Sequence, residues 1–307
     1  MPGPPLPRRL KTNSIPWVAN ETKSEELPHS VYRGLHLKLT VTTTNSSASG
    51  FTIDALLNLV NRLNLVIDGQ DNFVVVNLRD VYYMNYYDFS MAPVSSIDAT
   101  DGSGKISYVH LYIPHSLTRA AKPDDTMLDV RSVATYRAVV TWNGAASVPS
   151  SGVTVTAATL SFNTDVYENV DALPEVGKHE LSGLDYNLDQ VGRLNLKVPY
   201  GGNHQYRRLF LFTRNSSSAL SNVQIDDVIV KSNSFYYLDM EADRLQVQNA
   251  RGHSIAAQTG VYLIDFTRDG RMTQRLDARR LNELFVDVNS LVSNGTIRIL
   301  MDKVITN

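Results

Sequence analysis

Several short stretches carry residue types that could do chemistry. Asp101-Gly102-Ser103-Gly104-Lys105 resembles a loop in which glycine N–H groups and a lysine cradle phosphates. Ala99 stands where the first glycine belongs and Ile106 where a hydroxyl should ligate Mg²⁺, so the stretch reads as a hairpin turn. The seven histidines (29, 36, 110, 115, 179, 204 and 253) show neither H-x-x-x-H nor H-E-x-x-H spacing. His110 and His115 are five apart near a strand end and would face opposite sides. Asp124-Asp125 and Asp226-Asp227 are the adjacent acidic pairs worth testing as glycosidase carboxylates, but neighbouring side chains diverge on an extended backbone. Asp98 and Asp101 could offer oxygens to Ca²⁺, yet lack the EF-hand spacing and read as a solvated loop. No cysteine is present, which excludes thiol catalysis, iron–sulfur clusters and disulfides. Catalytic residues, cofactors and metal ligands are therefore each expected to be none, and the chain is read as no enzyme.

Tyrosine is the exception to this poverty. Tyr82, Tyr83, Tyr86 and Tyr87 fall within six residues of a chain holding 15 tyrosines. The i, i+4 spacing puts Tyr82 over Tyr86 and Tyr83 over Tyr87, two stripes of a short helix. One stripe is expected to pack on the body and the other on a partner, because tyrosine buries much area at little entropic cost.

The elements that must carry these residues follow from composition and period. The 307 residues are 43% hydrophobic and 20% charged, with a net charge of −2. That is globular, and it argues against a dedicated nucleic-acid binder. Residues 1–30 hold six prolines, with Arg8, Arg9 and Lys11 close together and Trp17 behind them. Prolines lack the donor that a helix or a central strand needs. An extended arm docked on another surface is expected, without an apolar signal-peptide core, dispensable for folding and needed for assembly.

From Tyr32 onward the period is two. Leu35, Leu37, Leu39 and Val41 alternate with His36, Lys38, Thr40 and Thr42, and similar runs follow at Tyr136–Trp142, Val153–Ala157 and Leu194–Val198. A slip at Ala157-Ala158 suggests a bulge. Five Asx-Gly pairs, at Asp68, Asp101, Asn143, Asp269 and Asn294, suit hairpin turns. Helical pattern is confined to Ile53–Leu63 behind a Thr52 cap, Leu78–Asp88 and Met240–Ala250. An all-β chain results. Val66–Val75 and Ile229–Tyr237 share one pattern about 162 residues apart, each after a strand (Gly34–Thr43, Gln205–Thr213) and before a polar, helical stretch. Two readings fit this echo, chance similarity between two strand–turn–helix segments or two similar β-sandwiches in tandem; the second places a boundary within Asn163–Gly192, a polar stretch with Pro174, Gly177, Gly183 and Gly192.

Gly34-Leu35-His36-Leu37-Lys38-Leu39, the Leu-rich Ala55–Leu63, Leu65-Val66-Ile67-Asp68-Gly69 and Leu78-Arg79-Asp80-Val81 together resemble the first jelly roll of double jelly-roll major capsid proteins. These belong to tailless icosahedral bacteriophages with an internal membrane, the PM2-like and PRD1-like group. The second half lacks a clear G-L-x-L-x-L and has Arg207-Arg208-Leu209-Phe210-Leu211-Phe212 in its place. The resemblance implies two tandem jelly rolls with a few short helices and an extended N-terminal arm: arm 1–30, first jelly roll 31–172, second 173–307. It implies a homotrimer forming a pseudo-hexagonal capsomer of an icosahedral shell, located in the virion and assembled in the host cytoplasm. Implied partners are further capsomers, minor capsid and vertex proteins, and the internal membrane through the arm, with no sequence-specific nucleic acid. Arg8, Arg9, Lys11, Trp17, Tyr82, Tyr83, Tyr86 and Tyr87 are the candidate interface residues. The competing reading is a carbohydrate-binding β-sandwich or glycoside hydrolase, which needs an aromatic groove with paired carboxylates.

Overall fold

A computed structural model of the chain describes residues 6–49, 51–117, 126–148, 150–168, 170, 177–268 and 270–305. The first five residues, Asp124, Asp125, Pro174 and Asp269 lie outside the described residues. The chain divides into two compact units, the described residues up to 170 forming the first and those from 177 on the second.

The first unit runs β1 (Leu6–Pro16), β2 (Thr22–Glu26), β3 (Val31–Ser49), α1 (Ile53–Leu57), β4 (Val60–Ile67), β5 (Asp71–Val76), α2 (Leu78–Phe89), β6 (Gly102–Pro114), β7 (Tyr136–Trp142) and β8 (Ser151–Glu168). The second runs β9 (Lys178–Leu188), β10 (Gly192–Lys197), β11 (His204–Arg214), β12 (Ile225–Ser232), β13 (Phe235–Glu241), α3 (Ala242–His253), β14 (Val261–Asp265), β15 (Phe285–Ser290) and β16 (Gly295–Ile305). Strand order within the first unit is β1-β8-β3-β6 in one sheet and β2-β7-β4-β5 in the other. The second unit repeats it as β9-β16-β11-β14 and β10-β15-β12-β13. Every neighbouring pair is antiparallel. Each unit is a jelly roll, and the two are tandem copies of one topology.

The sequence echo falls on equivalent places, β4-β5-α2 and β12-β13-α3, the fourth and fifth strands of each unit with the helix that follows. A further pair of anchors repeats. Tyr32 on β3 and Tyr206 on β11 are buried, and each hydroxyl donates to a proline carbonyl, Pro28 and Pro199, at 2.6 Å. Period-two burial builds the cores. In the second unit Leu194, Leu196, Val228, Val230, Val286 and Val288 of one sheet meet Leu209, Leu211, Ile297, Ile299 and Met301 of the other.

The structure differs from the sequence reading at three points. Residues 6–26 are extended but do not stand apart from the body: β1 and β2 are the first and second strands of the first jelly roll. Proline at positions 7 and 16 is tolerated because β1 is an edge strand, where one side of the backbone needs no ladder partner. The helix behind Thr52 stops at Leu57, although the Thr52 hydroxyl does cap it, accepting from the Ala55 N–H at 3.2 Å. Val60 and Leu63 belong to β4 instead, whose pairing with β5 and β7 outweighs a helical spacing of five residues. Between the two units, β8 continues to Glu168 and β9 starts at Lys178, so the units part within Asn163–Gly192. Finally, Asp68-Gly69 makes a tight turn with both residues at positive φ (51° and 71°), whereas Gly144 has φ −70° and caps a 3₁₀ turn. The expected bulge in β8 is present, between Val155 and Ala157.

Gly34 shows how tightly the first sheet is built. A Cβ there would lie 2.2 Å from the Tyr112 hydroxyl and 2.7 Å from the Ile113 carbonyl oxygen. Gly34→Ala is expected to cost ~1–3 kcal/mol by displacing Tyr112. Urea denaturation reads this directly, and an unchanged midpoint would contradict it.

Candidate functional site

Two surfaces of the first jelly roll hold the residues singled out from sequence. The first is α2. Asn77 and Asp80 form a reciprocal capping box at its start, with the Asp80 N–H donating to Asn77 Oδ1 at 2.8 Å. Arg79 reaches Asp54 of α1 at 3.1 Å, and Asn85 clamps the Tyr112 backbone of β6 through bonds of 2.6 and 2.7 Å. These ties fix which side of the helix is covered. Tyr87 points inward and is buried, and burial pushes its hydroxyl pKa far up. Tyr82, Tyr83 and Tyr86 stay half-buried, with the Tyr82 and Tyr83 rings edge-to-face at 5.2 Å. The two stripes thus divide unevenly, three rings reaching solvent and one the core. Beyond the helix the apolar surface continues through Phe89, Met91 and Val94, which are 47%, 60% and 60% exposed. Sequence reading missed these three; a run of large apolar residues after a helix end was the available signal.

The second surface is the outward side of β1-β8-β3-β6. Strand register places side chains on it in rows: Arg9 with Asp165, Lys11 with Asn163, His36 and Tyr112, then Ser14 with Ser161, Lys38 and His110. Lys38 lies over the Tyr108 ring at 4.9 Å. Lys11, His36, Lys38 and His110 line a shallow depression of about 560 Å³. Burial lowers the pKa of both imidazoles, with Lys38 adding to the effect at His110 and Arg9 at His36, against an opposing pull from Asp165. At neutral pH the charge of this face therefore comes from Arg9, Lys11 and Lys38. Arg8 points to the other side and pairs with Glu168. Trp17 is held within its own unit, its indole N–H donating to the Asn143 carbonyl at 2.9 Å.

Four of the groups weighed for chemistry have structural partners. Asp98 accepts from Thr100, and Asp101 accepts from the Ser47 N–H at 2.7 Å, so both close loops. Asp227 is bound by both guanidinium nitrogens of Arg193, at 2.5 and 2.8 Å. His115 is buried against the Tyr136 hydroxyl at 3.0 Å. The most heavily charged interior position escaped the sequence reading. Asp302 is fully buried on β16, 2.8 Å from His179 and 2.7 Å from Arg207 and Arg208. Burial alone would raise its pKa, but Arg207, Arg208 and His179 together hold it well below the usual carboxylate range. An acid next to a lysine inside the apolar run Ile297–Ile305 was its only trace.

The fold is that of the double jelly-roll capsid proteins. Residues 180–306 match the family model of the viral coat protein P2 C-terminal domain. The STIV MCP superposes with a TM-score of 0.81 at 16% identity, over 99% of this chain and 97% of that one. The major capsid protein P2 from bacteriophage PM2 gives 0.68 at 14%, over 98% of both chains. The PBCV-1 virus capsid gives 0.68 at 10%, over 98% of this chain and 95% of that one. No curated protein sequence matches the chain.

Proposed function

We propose that this chain is the major capsid protein of an icosahedral virus, a structural protein of the virion and not an enzyme. The observation that carries the reading is the repeated jelly roll over the whole chain, joined to a coat-protein domain in its second half. Copies associate as homotrimers, whose six barrels form a pseudo-hexagonal capsomer. Tyr82, Tyr83 and Tyr86, with Phe89, Met91 and Val94, supply apolar contact area between copies. Their exposure supports this, since large apolar side chains left at a monomer's surface and close together in the chain mark an interaction surface when a partner covers them. Minor capsid and vertex proteins, and an internal membrane, are further neighbours that the family resemblance supports.

Sedimentation of the purified full chain tests the reading. A species of three chains is expected, burying more than ~2,000 Å² in total as permanent assemblies do. A stable monomer at micromolar concentration would overturn it.

A further inference from the structure

The capsid reading leaves open which faces of neighbouring copies meet. Two exposed faces, one on each jelly roll, carry opposite charge. On the first, register gathers Arg9, Lys11 and Lys38 against the single carboxylate of Asp165. Arg9 and Lys11 are exposed, and Asp165 is 7% exposed, so the surface presented to solvent is cationic.

On the second, β12 and β13 pair Asp227 with Glu241 and Ile229 with Asp239, and α3 starts at once with Asp243 close behind. Asp239, Glu241 and Asp243 are exposed. Two cations answer these four acids: Arg193 is bound to Asp227, and Arg244 lies 2.8 Å from Glu241. These six side chains therefore keep a net charge of −2. Asp287, in the same row as Ile229 and Asp239, is buried and neutralised by Lys231 of the next row. Apolar side chains border both patches, Ile106 (55% exposed) on the first and Phe235 and Tyr236 (63% and 57%) on the second.

We propose that the cationic outer face of the first jelly roll docks on the acidic β12–β13–α3 patch of the second jelly roll of another copy. The inference rests on the capsid reading and deepens it. Because the two patches differ, the contact is head-to-tail: each copy offers one patch to each of two neighbours, and the arrangement closes into a ring. Complementary charge sets the register and speeds encounter, while the apolar borders supply the buried area.

Charge exchange tests this. Lys11→Glu with Lys38→Glu makes the first face acidic, and Asp239→Lys with Glu241→Lys makes the second basic. All four positions lie on the surface of strands, so wild-type circular dichroism and melting are expected for each variant. Sedimentation in low salt is expected to show oligomer for the wild type, at least a tenfold weaker association for each double variant, and recovery when all four changes share one chain. Recovery in the fourfold variant also separates a lost contact from a misfolded chain. If both double variants associate like the wild type, or the fourfold variant fails to recover, the docking is wrong while self-association stands. If the wild type itself is monomeric, the capsid reading fails with it.

Discussion

Deleting residues 1–28 is expected to unfold the first jelly roll. The prolines and basic residues of this segment suggest a detachable arm, but β1 and β2 are edge strands of its two sheets. β1 pairs along β8 from Leu6 to Pro16, and β2 pairs along β7 from Thr22 to Glu26. Ile15 and Leu27 are 2% and 1% exposed, so truncation opens both ends of the core. Each such loss costs ~2–5 kcal/mol. Two of them, with two ladders, match the ~5–15 kcal/mol that stabilises a whole domain. The truncated chain should be insoluble, or proteolysed rapidly within its first half, with the near-ultraviolet signal of Trp142 lost. A truncated protein that melts like the full chain would show that β1 and β2 contribute no stability.

Asp302→Ala should be the most damaging single substitution in the second jelly roll. It leaves Arg207 and Arg208 buried without their shared carboxylate, and breaking a buried pair costs ~3–5 kcal/mol. Denaturant unfolding should show a midpoint shift of that size, and a loss below ~1 kcal/mol would contradict the cluster's role. The pH dependence has a definite sign. The folded-state pKa of Asp302 is depressed, so its contribution is complete above the unfolded carboxylate value of ~3.9 and fades only as pH falls through the lower folded value. Wild-type stability from this site should thus hold level from neutrality to about pH 4.

The fold was legible where burial is one-sided. Leu35, Leu37, Leu39 and Val41 alternate because one face of β3 meets the core, and the Val66–Val75 and Ile229–Tyr237 hairpins repeat because both jelly rolls need the same corner. β1 was illegible for the opposite reason. An edge strand covers little apolar area and tolerates proline, so Leu6–Pro16 carries no period, and its place depends on β8, some 150 residues away. Helical spacing over Ile53–Leu63 misled because a five-residue helix and a following strand can share one apolar spacing by chance. At the surfaces, the tyrosine cluster announced itself through density alone, while Lys11, Lys38, His36 and His110 converge only through strand register. Asp302 was hidden because its partners come from β9 and β11, far away in sequence.

Cryo-electron microscopy of the purified oligomer tests the central claim most directly. Three chains should appear as six barrel-shaped densities in a pseudo-hexagonal ring. Single two-lobed particles, or a twofold dimer, would contradict the capsomer.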